Sequence, residues 1–322
     1  MENQKKIACI GIDLGGTNLR AALVSRSGKI LEMRVAKSAG QGAESLAKDL
    51  ANQCLDLMRR GEAQGLKTVA AGLGVAGKID PSGGLVVFSP NLPLLNGYPL
   101  GRDLEKNLGI PVYMENDANV FGLGESLAGA ARGLGNWVGI VLGTGTGGCL
   151  FFNGKLWEGD RLGFSGEIGH MMVEPGGPIC PCGSNGCLEA FASARALVSG
   201  AKRALLSPGV NAGPLGSFSG SLSAEAIYEC AKRGDPAALA LFDKMGWALG
   251  IALSNLFSAL GIRSAVIGGG VSGAWDQFIG PLEKTLARNC SMLKPEAAIV
   301  RRSFLGDSAA LIGAARLGFK AR

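Results

Sequence analysis

The 322-residue chain is long enough to bury a large core and to form two domains or lobes. Apolar residues make up 47% and charged ones 18%, the balance of a soluble enzyme. The net charge of +6 comes without a Lys/Arg-rich block or an aromatic stripe, which argues against nucleic-acid binding and suits a substrate bearing several phosphates. The 52 glycines follow no G-X-Y period and prolines number only 13, so collagen-like and low-complexity readings fail.

From the N-terminus, MENQKK precedes a short apolar run, Ile7 to Asp13, too brief and too polar for a signal peptide. No stretch reaches about 18 apolar residues without charge, so no membrane span is expected and a cytoplasmic location is. The run reads as a buried strand. The glycine turn Gly15-Gly16, a second run Leu19–Ser25, a turn at Ser27-Gly28-Lys29 and a third run from Ile30 follow it. Residues 43–60 place Leu46, Leu50, Cys54, Leu57 and Met58 on one helical face. Val69–Val75 and Val112–Tyr113 read as further strands.

The pattern then restarts. Trp137–Leu142 predicts a strand, Gly143–Gly148 a glycine turn, Cys149–Phe152 a strand, Asn153-Gly154 a hairpin turn and Lys155–Trp157 the return. IGIDLGGTNLRAALVSRSGKI and VGIVLGTGTGGCLFFNGKL thus share strand, Gly/Thr turn, strand and Gly-Lys hairpin. The duplication predicts two similar α/β lobes, each offering a glycine turn to a cleft between them. Further on, residues 199–222 read as a loop and Ala224–Lys232 as a helix, and Asp235-Pro236 caps a long helix to about Leu260. Ala265–Ile267 predicts a strand ending in Gly268-Gly269-Gly270, and Asp307 a cap for the helix Ser308–Phe319.

Gly143, Gly145 and Gly148 satisfy G-x-G-x-x-G, but a strand and hairpin follow where a dinucleotide site needs a helix, so that reading is set aside. A strand–turn–strand can still cradle phosphates through backbone N–H groups and threonine hydroxyls. One such turn is more often structural; two related copies reverse the balance. Asp13 stands at the strand end where the second copy has Val141. A carboxylate aimed at phosphates is costly without a cation, which makes Asp13 a candidate Mg²⁺ contact rather than a turn-forming residue. In VYMENDAN, Glu115-Asn116-Asp117 lies where a strand gives way to a helical pattern. Asp117 there reads either as an N-cap or as the base for an attacking hydroxyl, with Asn116 holding a neighbouring hydroxyl; the phosphate cradles favour the base.

His170, the only histidine, precedes Cys180, Cys182 and Cys187 in the spacing H-x9-C-x-C-x4-C. One imidazole and three thiols are the donor set of a closed, structural zinc site, whereas Cys9, Cys54, Cys149, Cys230 and Cys290 lie singly in apolar patterns. A metal on one ring nitrogen leaves the other as a fixed N–H donor, and Glu167 and Glu189 flank the ligands. Two carboxylates and a donor suit a polyhydroxylated ligand.

In DLGGTN (Asp13–Asn18), GVAGKID (Gly74–Asp80), PNLP (Pro90–Pro93), Glu115–Asp117, Gly143–Gly148, EIGHM (Glu167–Met171), Cys180–Glu189 and IGGGVS (Ile267–Ser272), the chain resembles the ROK family. That family comprises bacterial-type glucokinases, other hexose and N-acetylhexosamine kinases, and sugar-responsive repressors. The resemblance implies an α/β fold of the actin-like, hexokinase-like (ribonuclease H-like) ATPase kind, with duplicated β-β-β-α units around a central cleft. The expected division is a smaller lobe over 1–117, onto which a helix at 306–322 packs back, and a larger lobe over 118–305 with the zinc loop. It further implies Asp117 as catalytic base, and Asn116, Glu167, His170, Glu189, Gly77 and Asn91 as sugar contacts. ATP phosphates would fall on Asp13, Gly15, Gly16, Thr17 and Asn18 and on Gly143, Thr144, Gly145 and Thr146, with Gly269 and Gly270 flanking the adenosine. Zn²⁺ would fall on His170, Cys180, Cys182 and Cys187. Asn18 departs from the Lys of many members. The activity implied is ATP- and Mg²⁺-dependent phosphorylation of a hexose, glucose first, in a homodimer or homotetramer without nucleic-acid or membrane partners. A repressor would need a helix-turn-helix segment ahead of Ile7, where none fits, and the carboxylates beside the zinc ligands argue against an ATP-driven interaction protein.

Overall fold

β1 (Lys6–Leu14), β2 (Asn18–Ser25) and β3 (Ile30–Lys37) form an antiparallel meander in which Ile10 faces Leu23 and Leu19 faces Ala36. β1 is buried on both faces and reads as a nearly unbroken apolar run, whereas β3, at the sheet edge, alternates half-buried positions (Glu32, Arg34, Ala36) with exposed ones (Met33, Val35, Lys37). α1 (Ala43–Ala63) buries Leu46, Leu50, Cys54 and Leu57. β4 (Leu66–Val75) then returns parallel to β1. The β5 (Lys78–Asp80)–β6 (Leu85–Phe88) hairpin and α2 (Leu100–Leu108) lead to β7 (Val112–Asn116), parallel to β4, and to α3 (Asp117–Ala128). The first sheet has the order β3-β2-β1-β4-β7.

β8 (Trp137–Leu142), β9 (Thr146–Phe152) and β10 (Lys155–Leu156) repeat the meander. After them come α4 (Ala194–Leu205), α5 (Ala224–Lys232), α6 (Pro236–Leu260), β11 (Ser264–Gly268), α7 (Trp275–Asn289), β12 (Ile299–Arg302) and α8 (Ser308–Lys320). The second sheet runs β10-β9-β8-β11-β12, strand for strand the path of the first, so the expected duplication is present. The computed structural model describes residues 6–15, 18–37, 42–160, 164–206, 213–290 and 294–320. Two compact units result: Met1–Gly135 with Cys149–Ser165 and Phe304–Arg322, and Asn136–Gly148 with Gly166–Ser303.

Alternation along β1 sorts the first core. Ala8, Ile10, Ile12 and Leu14 pack with α1 and α2 residues, while Cys9 packs with Leu311, Ile312 and Phe319 of α8. Asp13 shares the face of Cys9 by the same period. Helix α8 lies close on β1, β4 and α3. At Gly313 a Cβ would overlap the Val120 carbonyl oxygen of α3, and at Gly124 the Ala309 carbonyl oxygen of α8. Because backbone would have to move, Gly313→Ala is expected to cost about 3 kcal/mol or more, read as a lower urea midpoint at unchanged m-value.

Two readings change. The loop expected over 199–222 begins later, because α4 continues to Leu205: Ser193 caps it by accepting from the Ala196 N–H, and Gly200 packs on Leu241 rather than breaking the helix. Residues 207–212 of that loop lie outside the described residues. The cap of α3 is Asn116, not Asp117. Helix α6 is long and apolar enough to span a membrane by length and composition, but Asp243 and Lys244 interrupt its apolar run, as expected, and it is a core helix: Gly246 and Gly250 seat it on Phe278 and Thr285 of α7.

Candidate active site

The junction of β7 and α3 fixes the first group of residues. Asn116 has extended backbone, and its Oδ1 accepts from the N–H groups of Ala118 and Asn119, satisfying two open donors of the helix. Its Nδ2 donates to the Gly77 carbonyl at 3.1 Å. One amide hydrogen remains for a ligand. The cap places Asp117 at the first helical position, half-buried, with Oδ1 accepting from the Ala118 N–H at 2.9 Å. Gly77 sits at φ 128 and has no room for a Cβ beside Phe88 and Ser89. The structure therefore brings Gly77, Asn116 and Asp117 together. Asn91 is exposed in the turn two residues beyond Ser89.

At the first glycine turn, Arg20 lies directly across the hairpin from Asp13, and its Nη1 donates to Asp13 Oδ2 at 3.1 Å. The same guanidinium meets Asp307 at 2.8 Å. Arg20 is thus a partner for Asp13 that motif reading missed, although the hairpin register points to it. Burial still pushes the Asp13 carboxyl above the usual range, with Arg20 offsetting only part of the cost. A divalent cation near the second oxygen would relieve the remainder. Gly15 follows at the strand end; Gly16, Thr17 and the side chain of Asn18 lie outside what is described.

The second glycine turn is Gly143–Thr146. Gly143 N–H donates to the Gly145 carbonyl, and the Gly143 carbonyl accepts from the Ala194 N–H at the start of α4, both at 2.9 Å. Among the described residues, the N–H groups of Thr144 and Gly145 have no backbone partner, an arrangement suited to anions. Gly143 and Thr144 line a cavity of ≈ 560 Å³ with Ser223, Glu225, Tyr228 and Gly270, a volume adequate for a nucleoside. Gly269, at φ 84, lies against the Leu142 carbonyl oxygen. The α5 residues on this cavity carry no motif and were not foreseen. Tyr228 is oriented by donating to Asp276 at 2.8 Å.

The metal-type residues converge as expected. One donor atom each from His170, Cys180, Cys182 and Cys187 lies within 4.8 Å of the others. Cys182 and Cys187 Sγ are 3.8 Å apart, and Cys180 Sγ is 3.7 Å from His170 Nδ1. A tetrahedral ion with bonds of about 2.3 Å to sulfur requires sulfur–sulfur edges of about 3.8 Å, so the donor spacing fits zinc. Burial pushes the Cys180 thiol up to about 12 and Cys187 upward, whereas the Ser184 N–H draws Cys182 down. A bound dication offsets the cost of ionising all three. Gly186, at φ 67, has no space for a Cβ beside the Glu174 carbonyl, which lets this loop close. His170 Nε2 faces Glu167 Oε2 at 3.8 Å. The 3-10 turn Ile168–His170 packs on the turn Leu188–Ala190, which carries Glu189. Glu167, His170 and Glu189 are thus gathered on one scaffold, the first two exposed and the third only 12% accessible.

A cavity of ≈ 490 Å³ in the first compact unit was also missed. Asp80, Ser82, Glu115, Asn119 and Phe164 are among its lining residues. Burial raises the Glu115 carboxyl, although its Oε1 accepts from Asn116 N–H and Asn119 Nδ2. A raised folded-state value means stability is present at low pH and falls as pH rises through that value. Glu115→Gln, which keeps an oxygen for both donors, is expected to remove this loss and to leave stability near neutral pH equal or higher. Urea titrations at acidic and neutral pH check it.

A family model described as ROK family matches residues 9–321. The glucokinase of Thermotoga maritima is 36% identical over 319 residues, covering 97% of each chain. A ROK hexokinase structure from Thermus thermophilus superposes with a TM-score of 0.80 at 32% identity, covering 98% of this chain and 100% of that one. A ROK family glucokinase from Streptomyces griseus, solved in complex with glucose and AMPPNP, also has a TM-score of 0.80, at 34% identity over 97% of this chain and 99% of that one. The actin-like ATPase fold expected from the sequence is the fold of these structures.

Proposed function

From the premise that this chain belongs to the ROK family, as its match over residues 9–321 establishes, we propose that it is a sugar kinase that phosphorylates glucose on its 6-hydroxyl with ATP. The observation that carries this reading is the scaffold on which Glu167, His170 and Glu189 are gathered by the Cys/His cluster. Two carboxylates accept from sugar hydroxyls, and an imidazole held through Nδ1 keeps Nε2 as a donor to a third. Gly77, Asn116 and Asn91 are proposed as further sugar contacts by the family resemblance. The glucose of the Streptomyces griseus complex supports this choice of ligand.

Asp117 accepts the proton of the attacking hydroxyl as that oxygen bonds to the terminal phosphorus and the bond to the bridging oxygen of ADP breaks. Phosphoryl transfer asks for little beyond this base, in-line positioning and charge neutralisation. The turn Gly143–Thr146 holds phosphates through backbone N–H groups and the α5-lined cavity beside it holds the nucleoside, while Asp13, Gly15, Gly16, Thr17 and Asn18 are proposed as phosphate contacts by the family resemblance. Asp13 would hold Mg²⁺, which when bound would supply charge neutralisation. His170, Cys180, Cys182 and Cys187 would hold Zn²⁺ in a structural role, since four protein donors would leave no open position.

The test is ADP release by the purified chain with Mg-ATP over a panel of hexoses and N-acetylhexosamines. Glucose is expected to give the highest kcat/KM. A preference for an N-acetylhexosamine would reassign the acceptor, and no acceleration by any sugar would remove the kinase reading.

A further inference from the structure

We propose that Glu189 is the positioning residue of the phosphate turn Gly143–Thr146, so that one carboxylate serves both substrates; this rests on the reading of that turn as a nucleotide cradle. Glu189 Oε2 accepts from the Thr146 N–H at 2.8 Å across a sequence separation of 43 residues. The approach is so close that a Cβ on Gly145 would overlap the same oxygen. Among the described residues, the one cation near this carboxylate is Arg195, whose Nη1 stands at 4.0 Å from Oε1. The Thr146 N–H is therefore the main polar anchor of a carboxylate that is only 12% accessible.

The segment after Glu189 holds the rest of the turn. Thr146 Oγ1 donates to the Ala192 carbonyl at 2.5 Å, Ala194 N–H to the Gly143 carbonyl at 2.9 Å, and Arg195 N–H to the Thr144 carbonyl at 3.4 Å. Ser193 Oγ closes the arrangement by donating to the Glu189 carbonyl at 2.8 Å. From the other side, Gly169 lies against the Thr146 carbonyl with no room for a Cβ. Residues 189–195 therefore act as a template against which the turn takes its shape. Within it the Glu189 side chain reaches the turn through Oε2 and, on the proposed sugar reading, leaves Oε1 for a sugar hydroxyl. A contact shared in this way makes sugar and nucleotide affinities reciprocal.

The experiment titrates AMPPNP with Mg²⁺ into sugar-free wild-type protein, Glu189→Ala and Glu189→Gln by calorimetry, and titrates glucose separately. Loss of a charge-assisted hydrogen bond predicts that Glu189→Ala weakens AMPPNP about tenfold or more. Glu189→Gln, whose amide oxygen still accepts from Thr146, should remain within about threefold of wild type. AMPPNP binding by folded Glu189→Ala equal to wild type overturns the proposal. Should that variant fail to fold by circular dichroism, Ser193→Ala carries the test: about threefold weaker AMPPNP at unchanged glucose affinity is expected, and unchanged AMPPNP affinity overturns it. The two readings separate. Wild-type protein that binds no AMPPNP removes the nucleotide cradle itself, whereas normal glucose binding by Glu189→Ala removes only its sugar contact.

Discussion

Asp117→Asn is expected to lower kcat by about a thousandfold or more while the dissociation constant for glucose stays within about twofold. The amide is nearly isosteric and its oxygen still accepts from the Ala118 N–H, so the α3 start and the Asn116 cap survive. What is lost is the capacity to take a proton from the attacking hydroxyl. An effect on kcat without one on sugar binding separates a base from a mere helix-start residue. Asn116→Ala behaves differently: it removes the cap and the tether to Gly77, and should cost about 1 kcal/mol of stability together with sugar affinity. Stopped-flow turnover and equilibrium sugar binding on the same Asp117→Asn preparation decide the matter. Near-normal turnover would remove the base assignment.

Removal of the metal is the second large effect. Elemental analysis should find about one zinc per chain. An ion bound only by the native state, at a concentration a thousandfold above its dissociation constant, stabilises by about 4 kcal/mol, and chelation should forfeit that stability. Glucose binding should fail with it, because His170, Glu167 and Glu189 depend on this loop for their arrangement. Cys187→Ser should behave like the chelated protein, since it breaks the ligand next to the Leu188–Ala190 turn. A metal-free preparation with full activity and unchanged melting temperature would contradict the role of the cluster.

Features that depend on local spacing were readable before the structure. The duplicated meander was legible because each copy is a continuous run of strand, glycine turn, strand and hairpin, and both sheets follow the same path. The Cys/His cluster was legible for the same reason: its ligands are close in sequence and their chemistry is distinctive. The α3 cap was half legible, since Asn and Asp are both good caps and only the backbone shows that Asn116 takes that position.

Partners remote in sequence were another matter. Arg20 opposite Asp13 needed the hairpin register, and Glu189 on Thr146 needed the tertiary fold. One side of the second cavity comes from α5 and its cap, and Ser223, Glu225 and Tyr228 look like part of an ordinary capped amphipathic helix in the sequence. Glycine misled where packing outweighs propensity: Gly200 lies inside α4, tolerated because it packs on Leu241.

The claim on which the rest depends is that the chain moves a phosphoryl group from ATP to a sugar hydroxyl. Phosphorus and proton NMR of a reaction with glucose and Mg-ATP tests it most directly. The account predicts one new phosphomonoester, coupled to the two protons on carbon 6, appearing in step with ADP. Inorganic phosphate without a sugar ester, or an ester on a different carbon, would contradict it.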